Sequence, residues 1–138
     1  MVETITYTIK GSLDQVVSIY ADLNKFADHH PLIQKVDVLN SKPSEQLYAI
    51  YVQPFSWLPI NISYKANVVK KDDHSVEYEI TEIPFTKAYF NYVFTEEADR
   101  TIQIKLRIEI LSKMMHKRIL MNMMIKAQDD IIASIQSA

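Results

Sequence analysis

Four tyrosines spaced along the middle of this sequence, Tyr51, Tyr64, Tyr78 and Tyr92, are the side chains best suited to meet a small molecule. A phenol turned into an interior needs a hydrogen-bond partner, which a ligand carbonyl or a water can supply; a strand tyrosine without that role simply packs. Tyr51 is open in phase, because Leu47, Ala49 and Tyr51 or Tyr48, Ile50 and Val52 serve equally well as an inward set. His29 and His30 stand just before Pro31, where an imidazole can act as acid, base or hydrogen-bond donor near neutral pH. Neighbouring side chains on a helix point about 100° apart, so the pair cannot line one site, and its spacing is no zinc motif. His74 in a turn and His116 among lysines read as solvated.

Other chemistry is harder to place. Acid–base pairs need two carboxylates aimed into one cleft, yet Glu77 and Glu79, Glu96 and Glu97, and Asp129 and Asp130 fall on wet faces or turns. No Gly-x-Ser-x-Gly element exists, and Ser12, Ser18 and Ser56 have no acid–histidine arrangement beside them. Cysteine is absent, which excludes disulfides, thiolate nucleophiles and Cys-ligated metals. The single glycine, Gly11, leaves nowhere for a phosphate cradle or a dinucleotide fingerprint. Catalytic residues are therefore unknown at this level, and neither metal nor cofactor is expected. Lys113, His116, Lys117 and Arg118 crowd the start of the last helix while Asp129 and Asp130 lie toward its end, the reverse of what the helix dipole favours. Either an anionic partner sits at that helix start, or the face is solvated and each misfit costs only about 0.3 to 1 kcal/mol.

These side chains must be carried by a single domain spanning residues 1–138, 48% hydrophobic and 23% charged, with a net charge of −2. A chain of this length hides roughly 68% of its unfolded surface, enough for an interior without staples. The 15 basic and 17 acidic residues are mixed, so no basic stripe suits nucleic acid. No charge-free segment reads as a signal or a membrane span; residues 46–64 lack formal charge but are interrupted by Gln53, Pro54, Ser56, Pro59 and Asn61. The expected setting is the cytoplasm, with no integral membrane association.

The first strand, Glu3 to Ile9, alternates Ile5, Tyr7 and Ile9 against threonines. Ser12 caps a short helix from Leu13 to Tyr20, and a second helical piece runs from Asp22 to His30, ended by Pro31. Six strands follow: around Val36–Leu39, Gln46–Gln53, Ile60–Lys70, the Val76, Tyr78, Ile80 segment, the Ala88, Phe90, Tyr92, Phe94 segment, and Thr101–Ile110. Left-handed turn positions fall to Asn and Asp, since glycine is so scarce. The chain closes with a helix from Ser112 to about Gln136, whose stripe holds Leu120, Met121, Met124, Ala127, Ile131 and Ile135. A rod about 10 to 12 Å wide cannot cover seven strands spaced about 4.8 Å apart. The sheet must curl around the helix or leave a hollow beside it, lined and partly filled by Tyr, Phe and Met.

This order of elements resembles the START-related, SRPBCC or pollen-allergen-like helix-grip superfamily over the whole chain. The segment from Asp22 to Ile33 is similar to the family's stretch after the first helix, and the Met-rich last helix fits as well. The resemblance implies an α+β helix-grip fold: a curved seven-stranded antiparallel sheet wrapped around a long C-terminal helix, with two short helices after the first strand. It also implies a hydrophobic or amphipathic ligand, such as a lipid, polyketide or quinone-like molecule, held between sheet and helix. Some members are polyketide cyclases or dehydratases, and others only carry lipids. The expected lining is Tyr51, Tyr64, Tyr78, Phe90 and Tyr92 from the sheet and Met121, Met124 and Ile125 from the helix, entered near Phe26, His30 and Leu32. A binding module is the first reading. The alternatives are a cyclase or dehydratase in which tyrosine and His30 polarise a carbonyl, and a protein–protein adaptor or weak homodimer using the Met-rich helix.

Overall fold

The computed structural model describes residues 1–43, 45–53, 62–113 and 117–137. Strand β1 (Val2–Lys10) is followed by helices α1 (Leu13–Ala21) and α2 (Leu23–Ala27), strands β2 (Ile33–Ser41), β3 (Glu45–Val52), β4 (Ile62–Asp72), β5 (Ser75–Ile83), β6 (Thr86–Glu97) and β7 (Thr101–Ser112), and helix α3 (Lys117–Ser137). The strands form one antiparallel sheet in the order β1-β7-β6-β5-β4-β3-β2. Consecutive strands pair as hairpins from β2 to β7, and the first strand returns to close the far edge against β7.

Period-two patterning decides which face is dry. In β7, Ile102, Ile104, Leu106, Ile108 and Ile110 are fully buried, and in β6 Ala88, Phe90, Tyr92 and Phe94 face the same way. The antiparallel register pairs Phe90 with Ile108 and Tyr92 with Leu106, so the two runs form one apolar surface. Register also resolves the phase of β3: Tyr48, Ile50 and Val52 are buried, and Tyr51 lies on the opposite face beneath the Lys35 ammonium, 5.5 Å from its ring centre.

Several boundaries differ from those read in the sequence. Ser112 is the last residue of β7, not a helix cap: cross-strand pairing with Thr86 carries the strand through it, and α3 is described from Lys117. Helix α2 ends at Ala27, earlier than Pro31 requires, and the backbone then turns through His29 N–H to Phe26 O and His30 N–H to Ala27 O. Strand β2 is longer at both ends and takes in Asn40 and Ser41. Residues Pro54 to Asn61, Ile60 among them, and His116 lie outside the described residues.

The left-handed positions also depart from expectation. They fall on Glu82, Phe85, Asp99 and Arg100, with φ between 55° and 68°, and only Asp99 is of a type that tolerates this well. Asp99 and Arg100 form the β6–β7 corner, closed by the Thr101 N–H on Ala98 O at 3.3 Å. The connection has three residues, Ala98 to Arg100, between the paired Glu97 and Thr101, and the hairpin's long ladder imposes the second positive φ on a residue that resists. Arg100→Gly is therefore expected to raise stability by about 0.5 to 1 kcal/mol, read as a higher urea midpoint with an unchanged slope.

Candidate functional site

Helix α3 lies closest to β1 and β7. Polar contacts fix it there: Tyr7 donates to Asp129 Oδ1 at 2.7 Å, and Arg118 Nη1 donates to Glu3 Oε1 at 2.9 Å. Those pairs also account for part of the inverted charge pattern, because Glu3 brings an anion to the helix start and Asp130 meets Lys126 at 2.8 Å. With the rod held to one side, α1 packs over β4 to β6 in the middle of the sheet and α2 lies toward the β2 edge. Tyr20 of α1 is 1% exposed and its ring meets Phe26, Tyr92 and Phe94 at centroid distances of 5.5, 4.7 and 5.3 Å. This aromatic wedge fills much of the trough between helix and sheet.

What remains is a cavity of about 180 Å³. Its floor is Ile50, Val52, Tyr64, Tyr78, Ile80 and Phe90, from β3 to β6. Its roof is Leu120, Met123, Met124, Ala127 and Gln128 of α3, and Leu23, Phe26, His30 and Leu32 close one side. Ile62, 40% exposed, is the described lining residue most open to solvent.

Of the residues singled out in the sequence, Phe26, His30, Leu32, Tyr64, Tyr78, Phe90 and Met124 come together on this wall. Four do not. Tyr51 is on the other side of the sheet, Tyr92 and Met121 are buried in the packed interior beside the cavity, and Ile125 packs against the core from the helix flank. Unanticipated members include Leu23, Ile80 and, above all, Gln128, which is 3% exposed. Gln128 sits four residues after Met124 and seven after Met121, squarely in the apolar stripe. A lone amide in a buried stripe is the signal that could have found it.

The polar atoms of the wall have distinct assignments. Tyr78 donates its hydroxyl to the Tyr20 carbonyl, one of the orphan groups at the end of α1. Tyr92 donates to Gln128 Oε1 at 3.0 Å, which leaves the amide Nε2 of Gln128 as the group without a partner among the described residues. His30 Nδ1 accepts from the Leu32 N–H at 3.1 Å, so the neutral ring carries its proton on Nε2. His29 turns elsewhere and meets Ser134 Oγ at 2.8 Å, which separates the two imidazoles as adjacent side chains must be. The Tyr64 hydroxyl has no protein partner among the described residues.

Burial sets the protonation states. It pushes His30 down to about 4 against a smaller opposing pull from Asp130, and pushes Tyr64 up to about 12. Tyr78 and Tyr92 are raised further by burial and by neighbouring tyrosines. At neutral pH the wall is therefore uncharged. The Tyr78→Phe variant removes a donor from a buried carbonyl and is expected to cost about 1 to 3 kcal/mol, measured by urea unfolding.

No protein-family profile matches the sequence, and no curated protein matches it. Solved structures do. The Zhui aromatase/cyclase from Streptomyces sp. R1128 superposes with a TM-score of 0.84 at 13% identity, covering 99% of this chain and 92% of that one. A START superfamily protein from Mycobacterium smegmatis gives 0.80 at 11% identity, with 99% and 94% covered. Ginseng major latex-like protein 151 from Panax ginseng gives 0.72 at 13%, with 96% and 95% covered. The chain has the helix-grip fold that these proteins share. Among the described residues, no helix is long and apolar enough to cross a membrane.

Proposed function

We propose that the protein binds a compact hydrophobic small molecule in the cavity between α3 and strands β3 to β6. The carrying observation is a cavity of about 180 Å³, partly open to solvent, whose wall is apolar apart from a few uncharged polar groups. Drug-sized sites run roughly 300 to 1,000 Å³, whereas a cavity of about 150 Å³ takes up benzene. One or two fused rings fit this space, and a longer ligand extends through its open side or moves α3 outward. The Met123 and Met124 side chains in the roof suit such repacking, because unbranched thioethers adapt their shape at little cost. The helix-grip likeness to an aromatase/cyclase and to a START superfamily protein supports the same reading.

Direct titration with 1-tetralone, followed by backbone NMR shifts and thermal unfolding, tests the proposal. Shifts confined to cavity-lining residues together with a concentration-dependent rise in Tm support it, since a ligand that binds only the folded state stabilises it by mass action. A flat response to tetralone and to a panel of other bicyclic compounds defeats it.

The cyclase or dehydratase reading draws on one specific observation, that Tyr64 and His30 share the wall of one cavity. A base works best with a pKa near the operating pH, and His30 at about 4 is too weak a base for that task. Any catalytic contribution from it is donation of the Nε2 proton in a hydrogen bond to a carbonyl oxygen. Among the described residues of the last helix, the methionines are spent inward, with Met121 fully buried and Met123 and Met124 on the cavity wall.

A further inference from the structure

We infer that this cavity selects a ligand carrying a neutral hydrogen-bond-accepting oxygen, a ketone or ester, and discriminates against both the bare hydrocarbon and the carboxylate of the same shape. The inference rests on the cavity being a ligand site and goes on to name the chemistry that the site recognises.

The donor inventory leads to it. Gln128 could present either end of its amide to the cavity, but the Tyr92 hydroxyl occupies Oε1, so the end left over is the N–H donor. His30 could present either ring nitrogen, but the Leu32 N–H occupies Nδ1, so the nitrogen left over is again a donor. In both cases a neighbouring group consumes the acceptor and leaves the proton. Tyr64 adds a hydroxyl that gives or takes a hydrogen bond. The wall thus offers three donors without protein partners among the described residues, and a single acceptor. A hydrocarbon displaces water from those donors and pairs with none of them, whereas an oxygen acceptor satisfies at least one.

Charge excludes the other class. No lysine or arginine is among the described lining residues, and the charge that acts most directly on His30 is the anion Asp130 of α3. Burial keeps His30 unprotonated at neutral pH, so it brings no compensating positive charge. A carboxylate entering the space gives up its hydration with no cation to replace it, which is costly in a low-dielectric interior.

Three probes of one shape separate these cases: 1-tetralone, tetralin and tetralin-1-carboxylate, titrated against the wild-type protein at pH 7.5. The expected order is tetralone tighter than tetralin by about five- to tenfold, one net hydrogen bond, with no saturable binding of the carboxylate. The control is the double variant Tyr92→Phe/Gln128→Leu, which removes both partners of the buried bond together and so leaves no orphan polar atom. In that variant the ketone preference falls severalfold while tetralin still binds, and what is left of it is supplied by His30 and Tyr64. Equal binding of tetralone and tetralin by the wild type overturns the selectivity and leaves the cavity reading intact. Tightest binding of the carboxylate also overturns it. Failure of tetralone and tetralin alike overturns the inference, and a flat response to the whole bicyclic panel overturns the proposed function with it. A double variant that binds tetralin but keeps the full ketone preference removes Gln128 from the role assigned to it.

Discussion

Ala127→Leu is expected to weaken binding of a bicyclic ligand by about 10- to 100-fold while leaving the protein as stable as before or more so. Ala127 is 6% exposed on the inner side of α3, with its methyl group on the cavity roof. Leucine is nearly as good a helix former as alanine, so the exchange asks little of the backbone. In the empty protein the added isopropyl group enters open space, and filling a cavity commonly stabilises by about 0.5 to 2 kcal/mol. With ligand present the same atoms compete for about 180 Å³, and overpacking costs about 1 to 3 kcal/mol, which sets the expected loss of affinity. The opposite signs are the diagnostic feature. A variant that loses affinity because it unfolds shows a lower urea midpoint as well, whereas occlusion lowers affinity with the midpoint held or raised. Unchanged affinity in a well-folded Ala127→Leu protein places the ligand elsewhere.

How much of this arrangement can be read from the sequence follows from the kind of signal each element carries. Strands β4 to β7 alternate cleanly, so their existence and dry faces follow from a period of two, though their ends do not; Ile102, Ile104, Leu106, Ile108 and Ile110 are all inward. The single broad sheet and the thin rod are likewise implicit in strand count and helix length. Packing choices made at long range are not. Tyr51 and Ile50 are neighbours of similar β propensity, and only pairing with β2 and β4 decides which one meets the core. Tyr92 has the pattern of a cavity tyrosine but points at the part of the trough that Tyr20 fills, and nothing in the sequence positions α1 over β6. Gln128 is missed because a helical stripe is scored by its apolar members. Helix α2 stops at Ala27, where the backbone tightens into the bonds of His29 N–H to Phe26 O and His30 N–H to Ala27 O, and His29 then meets Ser134 of α3, a contact 105 residues away that no local rule anticipates. The positive φ values are also set by pairing rather than by residue type: Glu82 sits at the irregularity between Ile80 and Ile83 in the β5–β6 ladder, and Phe85 and Arg100 sit in the turns that close β5–β6 and β6–β7.

Acidification is expected to remove a block of stability between about pH 6.5 and pH 4, and His30→Gln is expected to remove most of that dependence. The ring is held between Phe26, 5.9 Å away between centroids, and the roof of the cavity, with Nδ1 committed to the Leu32 N–H. A proton on that nitrogen breaks the bond and puts a charge where burial disfavours it, which is why the folded protein takes up the proton only near pH 4. The unfolded chain takes it up near pH 6.5. Between those values the unfolded state binds more protons, so the contribution is complete above pH 6.5, shrinks as pH falls and is gone below about 4. The shift corresponds to about 3 kcal/mol at most. Carboxylates act in a lower window: Asp72, lowered chiefly by the His74 N–H, contributes above its ordinary value and loses that contribution only below it. Urea midpoints at pH 7.5, 6.0, 5.0 and 4.2 therefore isolate the imidazole. The wild type should lose stability steadily across the series, and His30→Gln, whose amide can still accept from the Leu32 N–H, should trace a much flatter line. Parallel lines for the two proteins would mean that the imidazole is solvated, and with it the donor at that side of the cavity would be lost.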